Sequence, residues 1–245
     1  MVTGSHNPKE FNGLKVAYEK STLLGNDIME IYRIIKEDRL LTADIPGTFS
    51  SADITEEYIQ MLIDKITLGK RRLKIVCDCG NGTGGIYAPA FLRGIGCQVT
   101  ELYSEPDGTF PNHHPDPTKR ENLVKLIDTV IKEGADLGVG FDGDSDRIGV
   151  VDDKGEVIWG DRLMALYWRE ILPKHQGAVA ICEVKSSMAL PEEVEKLGGK
   201  PIWWNSGHSL VKAKMREEHA LFSGEVSGHM FFADEFFGFD DAFYA

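Results

Sequence analysis

The sequence predicts an α/β protein built from several α/β units, with mixed sheets flanked by helices. Two observations carry this reading. Apolar runs of strand length alternate with segments of helical period in two successive sets, and a turn-punctuated pair of short strands separates the sets.

Taken in order, LKVAYE (residues 14–19) reads as a strand and DIMEIYRIIKEDRL (27–40) as a helix, which together are too little to form a core alone. The polar stretch PGTFSSAD (46–53) reads as a linker. The first full set is LKIVCD (73–78), IYAPAFLRGI (86–95), CQVTELY (97–103), ENLVKLIDTVIKEG (121–134) and ADLGVGFD (135–142), alternately strand and helix. RIGVVDD and EVIWG then flank Asp153, Lys154 and Gly155, a hairpin signature. The helix DRLMALYWREIL (161–172) opens the second set. AVAICEV, a helix around MALPEEVEKLGG, PIWW, a helix from about Ser209 and LFSGEV follow, and GFDDAFYA at the end reads as the start of an apolar helix. Boundaries on this reading fall near residues 46–50 and 160, giving units 1–46, 50–159 and 160–245.

With 245 residues and 42% hydrophobic content, the chain can bury a sizeable core. No run approaches the roughly 18 consecutive apolar residues of a membrane span, and MVTGSHNPKEFNG lacks the pattern of a signal peptide, so the expectation is a cytoplasmic protein without a membrane partner. Four cysteines are too few for a disulfide framework. Cys77 and Cys79, two apart in a strand, face the same side and read as packed thiols. The formal net charge of −12 argues against a nucleic-acid partner, while a few local cations or a divalent ion still suffice for a small phosphate ligand.

Several loops concentrate reactive groups. Thr3-Gly4-Ser5-His6-Asn7-Pro8 sets a hydroxyl between a flexible glycine and an imidazole, and the turn Asn12-Gly13 returns Lys15 toward it. Asp142-Gly143-Asp144-Ser145-Asp146-Arg147 places three carboxylates just beyond a strand, a set that repels itself unless a cation sits among them and whose hard oxygens suit Mg²⁺. A calcium-binding EF-hand shares the spacing, but Arg147 stands where the turn glycine is needed, and Asp153 where the bidentate Glu is needed. Gly80-Asn81-Gly82-Thr83-Gly84-Gly85 contains G-x-G-x-x-G, with Glu101 downstream, and supports a rival dinucleotide-binding reading or a plain tight turn. In Gly224-Glu225-Val226-Ser227-Gly228-His229 the carboxylate, hydroxyl and imidazole at alternate positions line one side of an extended segment and suit sugar hydroxyls. Ser206-Gly207-His208-Ser209 reads as a helix start with Ser206 or Ser209 as its cap, and Lys185 follows a strand. Lys119 and Arg120 after HHPDPT read as the start of a helix, and the four Trp as core or cleft wall.

Together, TGSHNP, NGLK, DGDSDR, SGHS and GEVSGH, in this order, resemble the α-D-phosphohexomutase family. The resemblance implies a mutase that interconverts hexose 6-phosphate and hexose 1-phosphate (mannose, glucose or both) through a sugar bisphosphate. Ser5 would be the phosphoserine carrier, His6 and Lys15 would line its loop, and one Mg²⁺ would be held by Asp142, Asp144 and Asp146 with the Ser5 phosphate. Arg147 would face the phosphoryl group. Glu225, Ser227 and His229 would contact the sugar hydroxyls, with Lys185, Gly207 and His208 as further active-site groups. The partner implied is a small phosphosugar. The family has four domains, of which this sequence matches the end of the first, the second and most of the third. The alternative is therefore a truncated, inactive Mg²⁺-binding fragment of such an enzyme.

Overall fold

The computed structural model describes residues 1–19 and 21–245. The first unit is slight. A bridge between Val2 and Leu14 closes the Ser5 loop, and β1 (Ala17–Tyr18) pairs antiparallel with β2 (Ser21–Thr22). The strand expected over 14–19 is thus reduced to a bridge and a two-residue pair, because no third strand extends the ladder. Helix α1 (Asn26–Lys36) stops four residues before the expected end, where Asp38 turns left-handed at φ 53. Ile28, Met29, Tyr32 and Ile35 of α1 all stay exposed, and residues 39–54 form neither helix nor strand, as expected of a linker.

The second unit begins with α2 (Thr55–Lys65), β3 (Lys74–Asp78), α3 (Gly84–Gly94) and β4 (Gln98–Leu102). A single 3₁₀ turn over Arg120–Leu123, at the place of the helix start read from Lys119 and Arg120, leads into α4 (Val124–Glu133), followed by β5 (Leu137–Phe141), β6 (Ile148–Asp152) and β7 (Val157–Ile158). The sheet order is β4-β3-β5-β6-β7, with β4, β3 and β5 parallel and β5, β6 and β7 antiparallel. Strand β5 is glycine-rich because α4 lies directly on it: a Cβ at Gly138 would sit 2.7 Å from side-chain atoms of both Leu126 and Val130. The parallel pairing matters for function, since the loops after β3 and β5 leave the sheet at the same edge, where ligands gather in open α/β sheets.

The third unit comprises α5 (Gly160–Ile171), β8 (Val179–Glu183), α6 (Ala189–Lys196), β9 (Lys200–Trp204), α7 (His208–Glu218), β10 (Phe222–Gly224) and β11 (Met230–Phe232). Its sheet runs β11-β10-β8-β9, with only β11 antiparallel. At the end of the chain Asp241 Oδ1 accepts the Phe243 and Tyr244 N–H groups and caps a single helical turn. One apolar cluster joins the two larger units, running from Phe91 and Phe141 to Trp168, Phe222 and Phe232. Trp168 and Phe222 are fully buried, as the core reading of the tryptophans requires, whereas Trp203 is 41% exposed. The Ile148 N–H donates to the Gly228 carbonyl at 3.1 Å, so the strand after the Asp142 loop is tied to the Glu225 loop.

All four cysteines are buried and free, and Cys77 Sγ lies 3.7 Å from Cys79 Sγ. Their shared hydrogen bond and burial push the Cys77 thiol well above its ordinary range. Beside them, His113 Nε2 lies 3.1 Å from Oδ1 of the buried Asp78. Burial alone would lower this imidazole, but the hydrogen bond and charge of Asp78 outweigh it and raise its pKa above 6.5. A raised folded pKa stabilises the fold fully below pH 6.5, and that contribution is lost as pH rises through the folded value. His113 is therefore expected to titrate above 6.5 by NMR, and Asp78→Asn to bring it down to 6.5 or lower; an unmoved titration in that variant would contradict the pairing.

Candidate active site

The Ser5 loop is shaped by backbone constraints. A Cβ at Gly4 would meet the Phe11 carbonyl oxygen at 2.7 Å, and Ser5 itself adopts φ 52, a left-handed conformation that costs a non-glycine residue about 1 kcal/mol. The Ser5 N–H donates to Thr3 Oγ1 at 2.8 Å, and the Asn7 N–H to the Gly4 carbonyl at 2.9 Å. The turn aims Ser5 Oγ at the loop after β5: it donates to Asp142 Oδ2 at 3.0 Å and lies 3.1 Å from His6 Nδ1. Thr3 adds a second link, its hydroxyl donating to Asp144 Oδ2 at 2.8 Å.

The loop after β5 folds back on itself. Asp142 is fully buried, and its Oδ1 accepts the N–H groups of Asp146 and Arg147, each at 3.1 Å, while Ser145 turns left-handed at φ 59. Burial, then the charge of Asp146, pushes the Asp142 carboxyl up to about 6 against the pull of Arg147. Oxygens of Asp142, Asp144 and Asp146 all lie within 4.8 Å of one another. The charge on this set is balanced by Lys15, whose ammonium reaches Asp144 Oδ2 at 2.8 Å and also Asp146 Oδ2. Burial would lower the Lys15 pKa, but Asp146 and Asp144 outweigh it and hold the group well above the usual lysine range. Asp144 Oδ1 and Asp146 Oδ1 are buried without a hydrogen-bond partner among the described residues. Three convergent hard oxygens, two of them with unused lone pairs, fit a divalent cation such as Mg²⁺.

Arg147 lies over Ser5. Its Nε donates to Asp142 Oδ2 at 2.8 Å, its Nη2 reaches Ser5 Oγ at 3.4 Å and also contacts His6 Nδ1. Burial first, then Arg147, lowers the His6 pKa and keeps this imidazole neutral.

The Glu225 loop departs from the sequence reading. Glu225 to His229 is not an extended row but a tight hairpin turn between β10 and β11: the Glu225 N–H donates to the His229 carbonyl at 2.9 Å, and the Gly228 N–H to the Glu225 carbonyl at 3.0 Å. Alternation along a strand therefore does not govern these side chains. Glu225 Oε1 accepts the Gly207 N–H at 2.6 Å, which ties the loop to the start of α7. Gly207, at φ 122, occupies the cap position there; neither Ser206 nor Ser209 caps the helix, and the Ser206 hydroxyl is buried without a partner. Glu225 is raised in pKa chiefly by burial, partly offset by that N–H, by His229 and by the charge of Lys185. Lys185 is itself 68% exposed and 3.8 Å from Glu183 Oε1. The hydroxyl of Ser227 is half-buried and makes no hydrogen bond among the described residues.

His229 connects the two loops. Its Nδ1 lies 3.0 Å from Asp240 Oδ2 and 3.5 Å from Asp146 Oδ1, without meeting hydrogen-bond geometry to either. His208 stacks on it with ring centroids 5.4 Å apart and sits 3.8 Å from the same Asp240 oxygen. Burial lowers the His208 pKa, and Lys212 lowers it further.

The structure thus gathers Ser5, His6, Lys15, Asp142, Asp144, Asp146 and Arg147 into one cluster, with Glu225, Gly207 and Lys185 in a second joined to it through His229. Sequence reasoning passed over Thr3, Asp116, Glu183 and Asp240. Buried Glu183 accepts the Val226 N–H at 2.7 Å, and Asp240 pairs with buried Lys212 at 2.7 Å. The glycines of 80–85 serve backbone packing: the Thr83 N–H donates to the Gly143 carbonyl at 3.0 Å, and a Cβ at Gly82 would lie 2.7 Å from that oxygen.

Residues 56–155 match the α/β/α domain II of phosphoglucomutase/phosphomannomutase, and residues 159–245 match domain III. A phosphomannomutase/phosphoglucomutase of Pseudomonas syringae pv. tomato is 44% identical over the whole chain and 52% of its own length. The crystal structure of a phosphoglucomutase/phosphomannomutase family protein from Burkholderia thailandensis is similar with TM-score 0.95 and 42% identity, over 99% of this chain and 52% of that one. The N-acetylphosphoglucosamine mutase of Aspergillus fumigatus, solved with GlcNAc-6P and magnesium, shares the fold at TM-score 0.66 and 17% identity, over 95% of this chain and 60% of that one. The chain spans about half the length of the curated relatives it matches. With two consecutive domains of one family covering most of its length, this chain belongs to the phosphoglucomutase/phosphomannomutase family.

Proposed function

We propose that this chain is the central portion of a phosphosugar mutase that exchanges hexose 6-phosphate and hexose 1-phosphate, of mannose or glucose, with Ser5 as the phosphoryl carrier. On this reading residues 1–46 are the end of a first domain, 50–159 a metal-binding domain and 160–245 a sugar-binding domain. The observation that carries it is the position of Ser5 Oγ, 3.0 Å from Asp142 and 3.4 Å from Arg147, on the rim of a three-carboxylate cluster with unused oxygens.

In the first half-reaction a sugar hydroxyl attacks the phosphorus of phospho-Ser5. The new P–O bond to the sugar forms as the bond to Ser5 Oγ breaks, and the hydroxyl proton passes to a basic side chain. The resulting sugar bisphosphate then returns its other phosphoryl group to Ser5 by the reverse route. Such transfers depend on positioning and charge neutralisation. Asp142, Asp144 and Asp146 would hold Mg²⁺, which when bound neutralises phosphoryl oxygens. Arg147, 3.4 Å from Ser5 Oγ, stabilises the same charge and orients His6. Of the basic groups near the site, Lys15 is unsuited to accept the proton while Asp146 and Asp144 hold it charged. Burial would lower the His229 pKa, but Asp240 and Asp146 outweigh it and raise it, whereas burial and Lys212 lower His208 and favour it as the acceptor. Glu225 and Ser227 fix the sugar, with Lys185 and the Gly207 backbone beside them.

A second reading, a Mg²⁺-binding portion without turnover of its own, is favoured by the largely exposed apolar face of α1. Incubation with a hexose 1,6-bisphosphate and Mg²⁺ separates the two. Intact-mass analysis is expected to show one phosphoryl group per chain, on the peptide containing Ser5; no uptake, or uptake elsewhere, removes the carrier role.

A further inference from the structure

Asp116 lies in the loop between β4 and α4, outside every motif of the phosphoryl site, yet it is 6% exposed and has reached the guanidinium of Arg147: Nη1 to Asp116 Oδ1 is 3.6 Å. Its orientation is fixed on several sides. Oδ1 accepts the Thr118 N–H at 3.1 Å and the Thr118 hydroxyl at 2.7 Å, the backbone N–H donates to the His114 carbonyl at 2.8 Å, and the Asp116 carbonyl accepts Asn122 Nδ2 at 2.9 Å. Lys119 stands 4.0 Å from Oδ2, at the surface. A buried carboxylate is costly unless paired, and this one is locked by bonds that leave its charge facing Arg147, its buried partner, with the exposed Lys119 at the edge of ion-pair range.

The other anchor of Arg147 is shared. Asp142 Oδ2 accepts both Arg147 Nε and the Ser5 hydroxyl, and Asp142 belongs to the carboxylate cluster. Any cation drawn to that cluster takes charge density from the carboxylate that holds the guanidinium. Asp116 is not part of the cluster, so its hold on Nη1 persists. An arginine has many rotamers, and two anchors on different nitrogens leave it one orientation, with Nη2 presented to Ser5 Oγ.

We propose that Asp116 is the positioning residue for Arg147, holding its guanidinium over Ser5 independently of the metal-binding carboxylates. This rests on the phosphoryl-carrier reading of Ser5. Thr118 serves as the lock on Asp116, and the conformation of the 113–118 loop is thereby coupled to transfer at Ser5.

The test uses the full chain and a hexose 1,6-bisphosphate with Mg²⁺, following phosphoryl uptake by intact mass. Asp116→Asn keeps the Thr118 contacts and removes the charge. It is expected to slow uptake by about 10- to 100-fold, with the half-saturating bisphosphate concentration changed by less than about threefold, since the guanidinium acts on the group in transit. In an Arg147→Lys background the same substitution should add no more than about a twofold loss. Thr118→Val, which keeps the carboxylate charged, should give a smaller loss with the same dependence on Arg147. In the metal-free protein, the Arg147 Nε–H resonance, assigned by its disappearance in Arg147→Lys, should broaden in Asp116→Asn. Wild-type rates in Asp116→Asn, an equal loss with Lys at 147, or an unmoved Nε–H resonance would each overturn the proposal. Wild-type protein that takes up no phosphoryl group overturns the carrier reading, and this inference with it.

Discussion

On the proposed carrier role of Ser5, a Ser5→Ala chain will take up no phosphoryl group from a hexose bisphosphate, and any mutase turnover will fall by more than about 10³-fold, because the proposed carrier oxygen is gone. The two neighbouring atoms with lone pairs are already engaged: Asp142 Oδ2 accepts Arg147 Nε at 2.8 Å, and His6 Nδ1 has Arg147 Nη2 against it. The fold should change little. Ala tolerates φ 52 about as well as Ser, and the side-chain hydrogen bonds lost, to Asp142, His6 and Arg147, are worth about 1 kcal/mol each at most. Ser5→Thr gives a sharper version of the same test. It restores a hydroxyl, but a β-branched residue is strained at positive φ, so the oxygen is displaced from Asp142 Oδ2 and uptake should stay far below wild type. Intact mass and a coupled mutase assay read both variants; phosphate retained by Ser5→Ala at wild-type stoichiometry would end the carrier assignment.

The features legible in the sequence are those with a local signature. Strand and helix periods located both mixed sheets, and the Asp142 loop announced itself because three carboxylates two residues apart have no comfortable arrangement without a cation. Asp116 and Asp240 carried no such pattern. Each is an ordinary loop aspartate whose partner, Arg147 or His229, becomes a neighbour only when separate segments converge. The position of Asp116 after two histidines and between two prolines was the available clue, since two prolines stiffen the loop that carries it. The Glu225 loop misled for the opposite reason. Its alternating polar residues suggested an extended segment, but the Gly228 turn closes the hairpin within that very stretch, at φ 95 and against the Ile148 backbone. The cap of α7 was misread because Gly207 itself takes the cap position at φ 122, with its N–H tied to Glu225 of another loop, and no side chain caps the helix. For α1, amphipathic period identified the helix but could not say what its apolar face would meet; in this structure Ile31 and Ile34 are half-buried while Ile28, Met29, Tyr32 and Ile35 stay exposed.

The carboxylate cluster makes the second large prediction, and Lys15 gives it a sign that a simple ligand count would miss. Without a cation, the charges of Asp144 and Asp146 are balanced by the Lys15 ammonium, and Asp144 also takes the Thr3 hydroxyl. A divalent ion must compete with that ammonium for the negative charge of the same two carboxylates, even where it uses their free Oδ1 atoms. Mg²⁺ at about 100 times its Kd should raise the stability of the wild-type chain by about 2.7 kcal/mol, seen as a higher thermal midpoint. Asp144→Asn removes one charge and one unused oxygen while leaving an acceptor for Thr3. The Mg²⁺-induced rise should then largely vanish, and phosphoryl uptake at Ser5 should drop by about 10²- to 10³-fold. Lys15→Met removes the competitor instead. The metal-free protein should be destabilised by the unbalanced carboxylates, Mg²⁺ should bind about tenfold more tightly and give a larger rise in midpoint, and uptake should nonetheless fall, because a cation beside the transferring group is lost. Opposite changes in Mg²⁺ response with the same direction in uptake are the signature of a lysine that guards the metal site and also serves it. If Lys15→Met weakened the Mg²⁺ response as Asp144→Asn does, the ammonium would be supporting the ion's binding rather than competing with it.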